Sequence, residues 1–280
     1  MPSAPTFLSG QSQSGLSYFL FGNRRNPVII FLHGFLGSAR DWFSVAEILS
    51  KNYCCLLVDL PGHGESRDLP KSGYTMPVCA ENIIHLLKEL RIHTTHLVGY
   101  SMGGRLGFYL AAHYQKFFDK IVLESASPGL QTDAEKQQRI KQDAEIAQKL
   151  ESLPFQDFLD YWYTLPLFGS LRKHERLGHL KKVRQTVYTE GLIFSLRKMG
   201  TGVMPNLWPE LHNITNPVLL LTGDLDKKFE NINREINEKL PDGRHQIIRA
   251  AGHNLHFEQQ KIFIEILISF FKKEGKNERN

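Results

Sequence analysis

A serine flanked by glycines, Gly99-Tyr100-Ser101-Met102-Gly103, is the part of this sequence with the clearest chemical meaning. An apolar run at residues 95–98 precedes it and a helical pattern at residues 104–112 follows it, which predicts a strand, a tight turn and a helix. Glycines two residues on either side of the serine leave room for so sharp a turn. The spacing therefore predicts a nucleophilic serine whose hydroxyl stands clear at the carboxyl end of a strand.

A serine hydroxyl needs a base to take its proton, and the base needs an acid to orient it. Where a serine sits on this kind of turn, the chain order is serine, then acid, then histidine. An apolar run at residues 218–222 is followed by two aspartates, Asp224 and Asp226, and both are candidate acids. His253 follows in a loop of small residues after a further apolar run, and we predict it as the base. The residues alone leave the choice between the two aspartates open.

Charge developing on a substrate oxygen needs hydrogen-bond donors, usually backbone amides. The amide of Met102, directly after the serine, is one candidate. The loop His33-Gly34-Phe35, directly after an early apolar run, predicts Phe35 as the second backbone donor. We expect His33 to brace this loop rather than to take part in chemistry. The residues show no zinc-ligand spacing, no dinucleotide-binding glycine motif and no P-loop, so we predict no metal and no cofactor.

Short apolar strands alternate with helical patterns along most of the chain, which favours an α/β fold with a mainly parallel sheet covered by helices on both faces. The alternation stops between residues 127 and 207, a stretch rich in charged and aromatic residues. We predict that this stretch is an inserted helical cap over the strand ends, where such sheets bind ligands. The predicted organisation is thus a core at 1–126, a cap at 127–207 and the rest of the core at 208–280.

The basic residues are unevenly placed along the 280-residue chain, whose net charge is +5. Residues 171–200 contain eight lysines and arginines but only two glutamates, so they carry +6, and the rest of the chain is near neutral at −1. Such a segment is either a solvated helix face or a positive lid over a polyanionic small molecule. Nucleic acid is a weaker alternative because no nucleic-acid-binding motif accompanies the charge.

Three cysteines cannot form a fully paired disulfide framework, and we expect all three, Cys54, Cys55 and Cys79, to be reduced and mostly buried. The first six residues lack the basic start and apolar run of a signal peptide. The apolar runs are too short or too charged to span a bilayer. These features predict a cytoplasmic protein without stable membrane insertion, either a monomer or a small homo-oligomer.

With these residues in place, the chain resembles the α/β-hydrolase superfamily over nearly its whole length. Finer features make it similar to the 2-succinyl-6-hydroxy-2,4-cyclohexadiene-1-carboxylate synthase family. The motifs that carry the closer resemblance are Gly99-Tyr100-Ser101-Met102-Gly103-Gly104-Arg105, Ser127-Pro128-Gly129-Leu130-Gln131, Tyr161-Trp162-Tyr163-Thr164-Leu165-Pro166, Met199-Gly200-Thr201-Gly202 and Pro205-Asn206-Leu207-Trp208.

The resemblance implies a lyase of menaquinone and phylloquinone biosynthesis that eliminates pyruvate without a cofactor. Its Gly-x-x-Asp-x-Lys-Phe pattern matches residues 223–229 and so implies Asp226 as the acid. Ser101, activated by His253, would then abstract a ring proton instead of forming an acyl-enzyme. The family's substrate-contacting arginines match Arg105, Arg139 and Arg184, and Trp162 matches a pocket aromatic of the family. We expect Tyr100 to line the substrate pocket too.

An anionic substrate agrees with these arginines, because a guanidinium fork binds a carboxylate through two charge-assisted hydrogen bonds. One alternative function is a hydrolase of esters or carbon–carbon bonds with the same triad. A second alternative, from a different class, is a non-catalytic binding protein of the same fold. The complete set of serine, acid and histidine favours an enzyme.

Overall fold

A computed structural model describes residues 7–67, 69–184 and 189–272. Among these residues, eight strands form one sheet. The strands are β1 (Phe7–Gln11), β2 (Ser17–Phe21), β3 (Val28–Leu32), β4 (Cys54–Val58), β5 (Thr95–Tyr100), β6 (Phe118–Glu124), β7 (Val218–Gly223) and β8 (Gly243–Ile248). Their order across the sheet is β1-β2-β4-β3-β5-β6-β7-β8. The pairs β1–β2 and β2–β4 are antiparallel, and all other neighbours are parallel.

Helices cover both faces of this sheet, as the alternating pattern predicts. The helices are α1 (Phe43–Leu49), α2 (Met76–Glu89), α3 (Met102–His113), α4 (Asp133–Ser152), α5 (Phe155–Trp162), α6 (Leu177–Val183), α7 (Thr189–Met199), α8 (Lys227–Asn237), α9 (Leu255–Glu258) and α10 (Gln260–Phe271). Core clusters lie on the two faces of the sheet, one against α2, α3 and α8 and the other against α1 and α10. The α/β-hydrolase fold class predicted from the sequence is thereby confirmed.

Consecutive cysteines at the start of β4 show how the strand divides the core. Cys54 belongs to the cluster on one face of the sheet and Cys55 to the cluster on the other, because successive strand residues point to opposite faces. All three cysteines are free and buried, as the sequence predicts. Burial raises the pKa of Cys79 to about 12, so its thiol is protonated and unreactive.

The bounds of two elements depend on hydrogen bonds rather than on an apolar pattern. Helix α8 begins at Lys227, because the Asp226 side chain caps it by accepting the Phe229 N–H. Strand β1 has four exposed residues out of five and lacks the apolar run of the other strands. Its place is decided by antiparallel pairing with β2.

Helices α4 to α7 pack together over the carboxyl edge of the sheet, between β6 and β7 in the chain. Their apolar side chains form a third core cluster, which also takes in Leu36 from the loop after β3. This packing agrees with the predicted helical cap, whose boundaries at residues 127 and 207 stay a prediction. Across residues 7–67, 69–184 and 189–272, no helix combines the length and apolarity needed to cross a membrane. Residues 1–6 and 273–280, at the ends of the predicted core segments, lie outside the described residues.

Candidate active site

Three side chains from three separate loops meet at the carboxyl edge of the sheet. His253 Nε2 lies 3.0 Å from Ser101 Oγ, and His253 Nδ1 lies 2.7 Å from Asp226 Oδ2. His253 and Asp226 are both buried, and all three side chains line one cavity. In such a chain the carboxylate orients the imidazole, and the imidazole takes the proton of the hydroxyl. The structure thus brings together the three predicted residues, whose catalytic roles stay predictions.

The turn that carries Ser101 is as tight as the glycine pattern predicts. Ser101 has φ 49° and ψ −105°, a backbone conformation that costs a residue with a side chain about 1–3 kcal/mol. A Cβ on Gly99 would lie 2.6 Å from the carbonyl oxygen of Gly103, and one on Gly103 would overlap the carbonyl oxygen of Leu32. Both positions therefore require glycine, because helix α3 starts directly against the ends of strands β3 and β5.

The two candidate aspartates point to different partners. One carboxylate oxygen of Asp226 contacts His253 Nδ1, and the other accepts the amide N–H of Phe229, in the first turn of α8, at 3.3 Å. Asp224 instead accepts the amide N–H of Ala251 at 3.3 Å, within the loop that precedes His253. This geometry supports Asp226 as the orienting acid and gives Asp224 a loop-bracing contact.

Two carboxylates that the sequence pattern did not single out hold the His253 loop. Glu258 accepts the amide N–H groups of the residues on either side of His253, at 3.0 and 3.2 Å. Glu124, at the end of β6, accepts the amides of the next two residues at 2.6 and 3.2 Å. It also accepts the ring Nδ1–H of His256 at 2.8 Å. The sequence offered one signal for Glu124, because this carboxylate stands at the end of an apolar run that forms a buried strand.

The Glu124 contacts predict a large contribution to stability. Glu124 is fully buried and its histidine partner nearly so, and Glu124 accepts three hydrogen bonds from the His253 loop. Because hydrogen bonds to a carboxylate contribute more than those to a neutral amide, we expect Glu124→Gln to lower the free energy of unfolding by about 3 kcal/mol, measured by urea denaturation. The matched control is Glu151→Gln, whose ion pair with Arg197 is exposed and should change stability by less than about 1 kcal/mol. Equal effects of the two substitutions would contradict the prediction.

The loop after β3 lies against the Ser101 turn. Burial lowers the pKa of His33 to about 3, so its ring is neutral, donating from Nδ1 to the Gly34 carbonyl and accepting the Leu60 amide at Nε2. The carbonyl of His33 accepts the Gly103 amide at 3.0 Å, which ties the loop to helix α3. His33 therefore braces the loop, as expected from its position. The predicted oxyanion donors are the amides of Phe35 in this loop and of Met102 in the first turn of α3, where amides have no acceptor within the helix.

A cavity of about 690 Å³ opens over Ser101, between the sheet edge and the cap. This volume is typical of small-molecule sites. Tyr100 and Trp162 both line it, and the Trp162 ring packs edge-on against Phe35 with ring centroids 5.3 Å apart. Their contact with substrate stays a prediction. No group of three or more metal-ligating side chains is found among the residues that the structure describes.

Two of the predicted arginines face this cavity side by side. Arg105 lies one helical turn after Ser101 and donates to the Met199 carbonyl at 3.2 Å, while its buried Nε has no partner within the described parts of the chain. Burial, with a smaller contribution from the charge of Arg139, lowers the pKa of Arg105 to about 10, so the side chain remains charged at neutral pH. Arg139 is paired with the buried Asp143 at 2.7 Å. An anion bound between these guanidinium groups would relieve the repulsion between them.

The third predicted arginine is held differently. Arg184, which directly follows α6, donates from Nε to Tyr163 Oη at 2.9 Å and from Nη2 to Asp41 Oδ2 at 2.9 Å. Its Nη1 donates to the carbonyl oxygen of Leu36. Burial opposes the charge of Arg184, but Asp41 and Tyr163 outweigh burial and hold its pKa above the ordinary value. The side chain lines the cavity, and its predicted substrate contact stays untested.

Comparisons with known proteins show which proteins the chain resembles. The family model described as alpha/beta hydrolase fold matches residues 27–260. The 2-succinyl-6-hydroxy-2,4-cyclohexadiene-1-carboxylate synthase of Citrobacter koseri is 33% identical over 251 residues, which cover 90% of this chain and 96% of the relative. A Bacillus subtilis protein provisionally given the same name is 36% identical over 89% of this chain and 92% of the relative.

The chain belongs to the 2-succinyl-6-hydroxy-2,4-cyclohexadiene-1-carboxylate synthase family. A solved structure supports this assignment: MenH from S. aureus superposes with a TM-score of 0.86 at 32% identity, covering 90% of this chain and 97% of that one. The resemblance identified from the sequence motifs is therefore confirmed at the level of the family. Because the chain spans nearly the full length of these synthases, core and cap together are the shared unit.

In this member of the synthase family, two carboxylates that the sequence motifs did not predict pair with the predicted arginines. Asp143 neutralises Arg139, and Asp41 neutralises Arg184. Asp143 lies four residues after its arginine on α4, a spacing readable from sequence. Asp41 lies 143 residues before Arg184, so no local pattern could have paired them.

Proposed function

We propose that the protein eliminates pyruvate from 2-succinyl-5-enolpyruvyl-6-hydroxy-3-cyclohexene-1-carboxylate, forming 2-succinyl-6-hydroxy-2,4-cyclohexadiene-1-carboxylate on the route to menaquinone or phylloquinone. The observation that carries the proposal is one cavity that contains both the Ser101–His253 hydrogen bond and Arg105. The first supplies a base and the second a site for an anion. Membership of the synthase family supports the same reaction.

The chemistry requires removal of the ring proton at C2, which is acidified by the succinyl carbonyl and by the neighbouring C3=C4 double bond. His253 Nε2 takes the Ser101 proton, and Ser101 Oγ takes the proton from C2. A C2=C3 double bond forms, the C3=C4 double bond shifts to C4=C5, and the C5–O bond breaks. The electron pair leaves on the enolpyruvyl oxygen. The imidazolium of His253 returns its proton to the departing enolate, which becomes pyruvate.

Negative charge develops on the succinyl carbonyl oxygen as the C2 proton leaves. In the proposed mechanism the amides of Phe35 and Met102 donate to this oxygen, because preorganised donors stabilise developing charge without reorganisation. Asp226, 2.7 Å from His253 Nδ1, stabilises the imidazolium that forms at the same time. The triad then generates a carbon base rather than a covalent acyl-enzyme.

The substrate of this reaction carries three carboxylates. Arg105 and Arg139 are proposed to bind one of them, since both face the cavity and none of the described residues pairs with Arg105 Nε. Tyr100 and Trp162 would pack against the apolar parts of the molecule. The proposed partner is thus an anionic small molecule, with no nucleic acid and no stable membrane insertion. The three free cysteines support a cytoplasmic location, and a monomer or small homo-oligomer is proposed.

The direct test supplies the enolpyruvyl intermediate to the purified protein and follows pyruvate by a lactate dehydrogenase coupled assay. We expect pyruvate and the cyclohexadiene product to appear together, in equal amounts and without added metal or cofactor. p-Nitrophenyl acetate serves as the comparison substrate. Turnover of this ester without acceleration of pyruvate release would assign the same triad to an esterase and refute the proposed lyase.

A further inference from the structure

We propose that Arg184 is a positioning residue, which ties the cap to the loop predicted to supply an oxyanion donor; the catalytic consequence rests on the proposed function. The structure gives this guanidinium three protein partners, one for each of its nitrogens: Tyr163 Oη, the Leu36 carbonyl and Asp41 Oδ2. Two of these partners belong to the segment between β3 and α1. Arg184 therefore connects two parts of the chain that are separate in sequence.

Hydrogen bonds to the core fix the beginning of the loop from His33 to Ser38. The His33 carbonyl accepts the Gly103 amide at 3.0 Å, and the His33 ring accepts the Leu60 amide at 3.0 Å. The amide of Gly37 closes a turn onto the Gly34 carbonyl at 2.9 Å. These contacts leave Phe35 and Leu36 at the top of the turn, facing the cap.

Arg184 supplies the contacts at the top and at the end of this loop. Leu36 has φ 63°, an uncommon conformation for a residue with a branched side chain, and its carbonyl accepts from Arg184 Nη1. Asp41, which accepts from Arg184 Nη2, also accepts the Ser38 amide at 3.4 Å in the capping box that ends the loop. The hydrogen bonds of His33 to the core thus fix the chain before the Phe35 amide, and the hydrogen bonds of Arg184 fix the chain after it.

The three predicted arginines can be distinguished by their burial and partners. Arg105 Nε has no partner in residues 7–67, 69–184 and 189–272, and the Arg139 side chain is 32% exposed and paired through Nε. The Arg184 side chain is only 6% exposed, and Asp41 is 7% exposed. A buried arginine bridging a carboxylate, a carbonyl and a phenol is suited to fixing geometry, because its planar fork matches several acceptors at once.

The test separates positioning from direct substrate binding by changing the partner instead of the arginine. Asp41→Asn keeps the side-chain shape but removes the charge that holds Arg184. We expect it to lower kcat for pyruvate release about tenfold or more with KM little changed, because a displaced oxyanion donor weakens transition-state binding. Arg184→Lys should show the same loss of kcat, since one ammonium group cannot bridge three acceptors. The double variant should be no worse than the more damaged single variant.

Asp160→Asn is the matched control. Asp160 on α5 pairs with Lys181 on α6 at 2.7 Å, but it is 57% exposed, so we expect kcat and KM to stay at the wild-type values. If Asp41→Asn fails to fold, as judged by circular dichroism, the decision passes to Tyr163→Phe. That variant removes only the acceptor of Arg184 Nε and should also lower kcat rather than raise KM.

A second readout does not depend on the physiological substrate. A p-nitrophenyl alkylphosphonate reacts with the Ser101 hydroxyl, and its phosphoryl oxygen must occupy the oxyanion position. Asp41→Asn and Arg184→Lys should slow p-nitrophenol release in this reaction. This expectation holds even if the wild-type protein releases no pyruvate, a result that would refute only the proposed function. Normal phosphonylation and normal kcat in Asp41→Asn, with a raised KM in Arg184→Lys, would overturn the positioning role and make Arg184 a direct substrate contact.

Discussion

Ser101→Ala should abolish pyruvate release almost completely while leaving the fold intact. A positioned acid–base group contributes about 10²–10⁴-fold in rate, so we expect kcat to fall by at least about 10³-fold. The physical reason is that Ser101 Oγ is the only member of the triad that meets the substrate proton in the proposed mechanism. His253 Nε2 lies 3.0 Å from Ser101 Oγ and takes the Ser101 proton rather than the substrate proton in this mechanism. The measurement is kcat for pyruvate formation, with circular dichroism as the check on folding.

The variants of the triad should not be additive. His253→Ala should cost about as much as Ser101→Ala, and the double variant should cost no more than either, because the residues act as one unit. Ser195→Ala is the matched control: it removes another hydroxyl that lines the same cavity, bonded to Met102 Sδ and not to the triad. This control should keep most of its activity. Full activity in Ser101→Ala would exclude the mechanism.

Arg105→Ala should raise KM by about 10–100-fold, since a hydrogen bond to a charged group contributes about 1.5–3 kcal/mol. Arg105 is buried beside Arg139, and its Nε has no partner among the residues that the structure describes, so a substrate carboxylate would satisfy it. Arg105→Lys should give an intermediate KM, because it restores the charge but not the two-pronged geometry. Steady-state kinetics with the enolpyruvyl intermediate measures the effect.

Arg197→Ala controls for the loss of a positive charge from the basic segment. Arg197 lies on α7 of the cap, is 49% exposed and pairs with Glu151 at 2.8 Å. We expect its KM to match the wild-type value, because exposed charges are screened by salt and solvent. If Arg105→Ala and Arg197→Ala raise KM equally, the substrate responds to overall charge and not to a specific site at Arg105.

The site residues nearest the sheet were predictable because each follows a recognisable strand. Ser101 and His253 could be placed at one edge, since the carboxyl ends of parallel strands meet there. The choice between Asp224 and Asp226 could not be made from spacing. It depended on which carboxylate turned toward His253, and the start of α8 at Lys227 decides that direction by using Asp226 as its cap.

The sequence by itself determined the α/β architecture, the order of serine, acid and histidine, and the basic character of the insert. These are properties of local periodicity and chain order, which short-range patterns carry. Only the tertiary structure decided the partners of Arg184 and Glu124, because Asp41 and His256 lie more than a hundred residues away along the chain. Buried charges acquire their partners through packing, and packing of the cap against the loop after β3 is what gives Arg184 three acceptors.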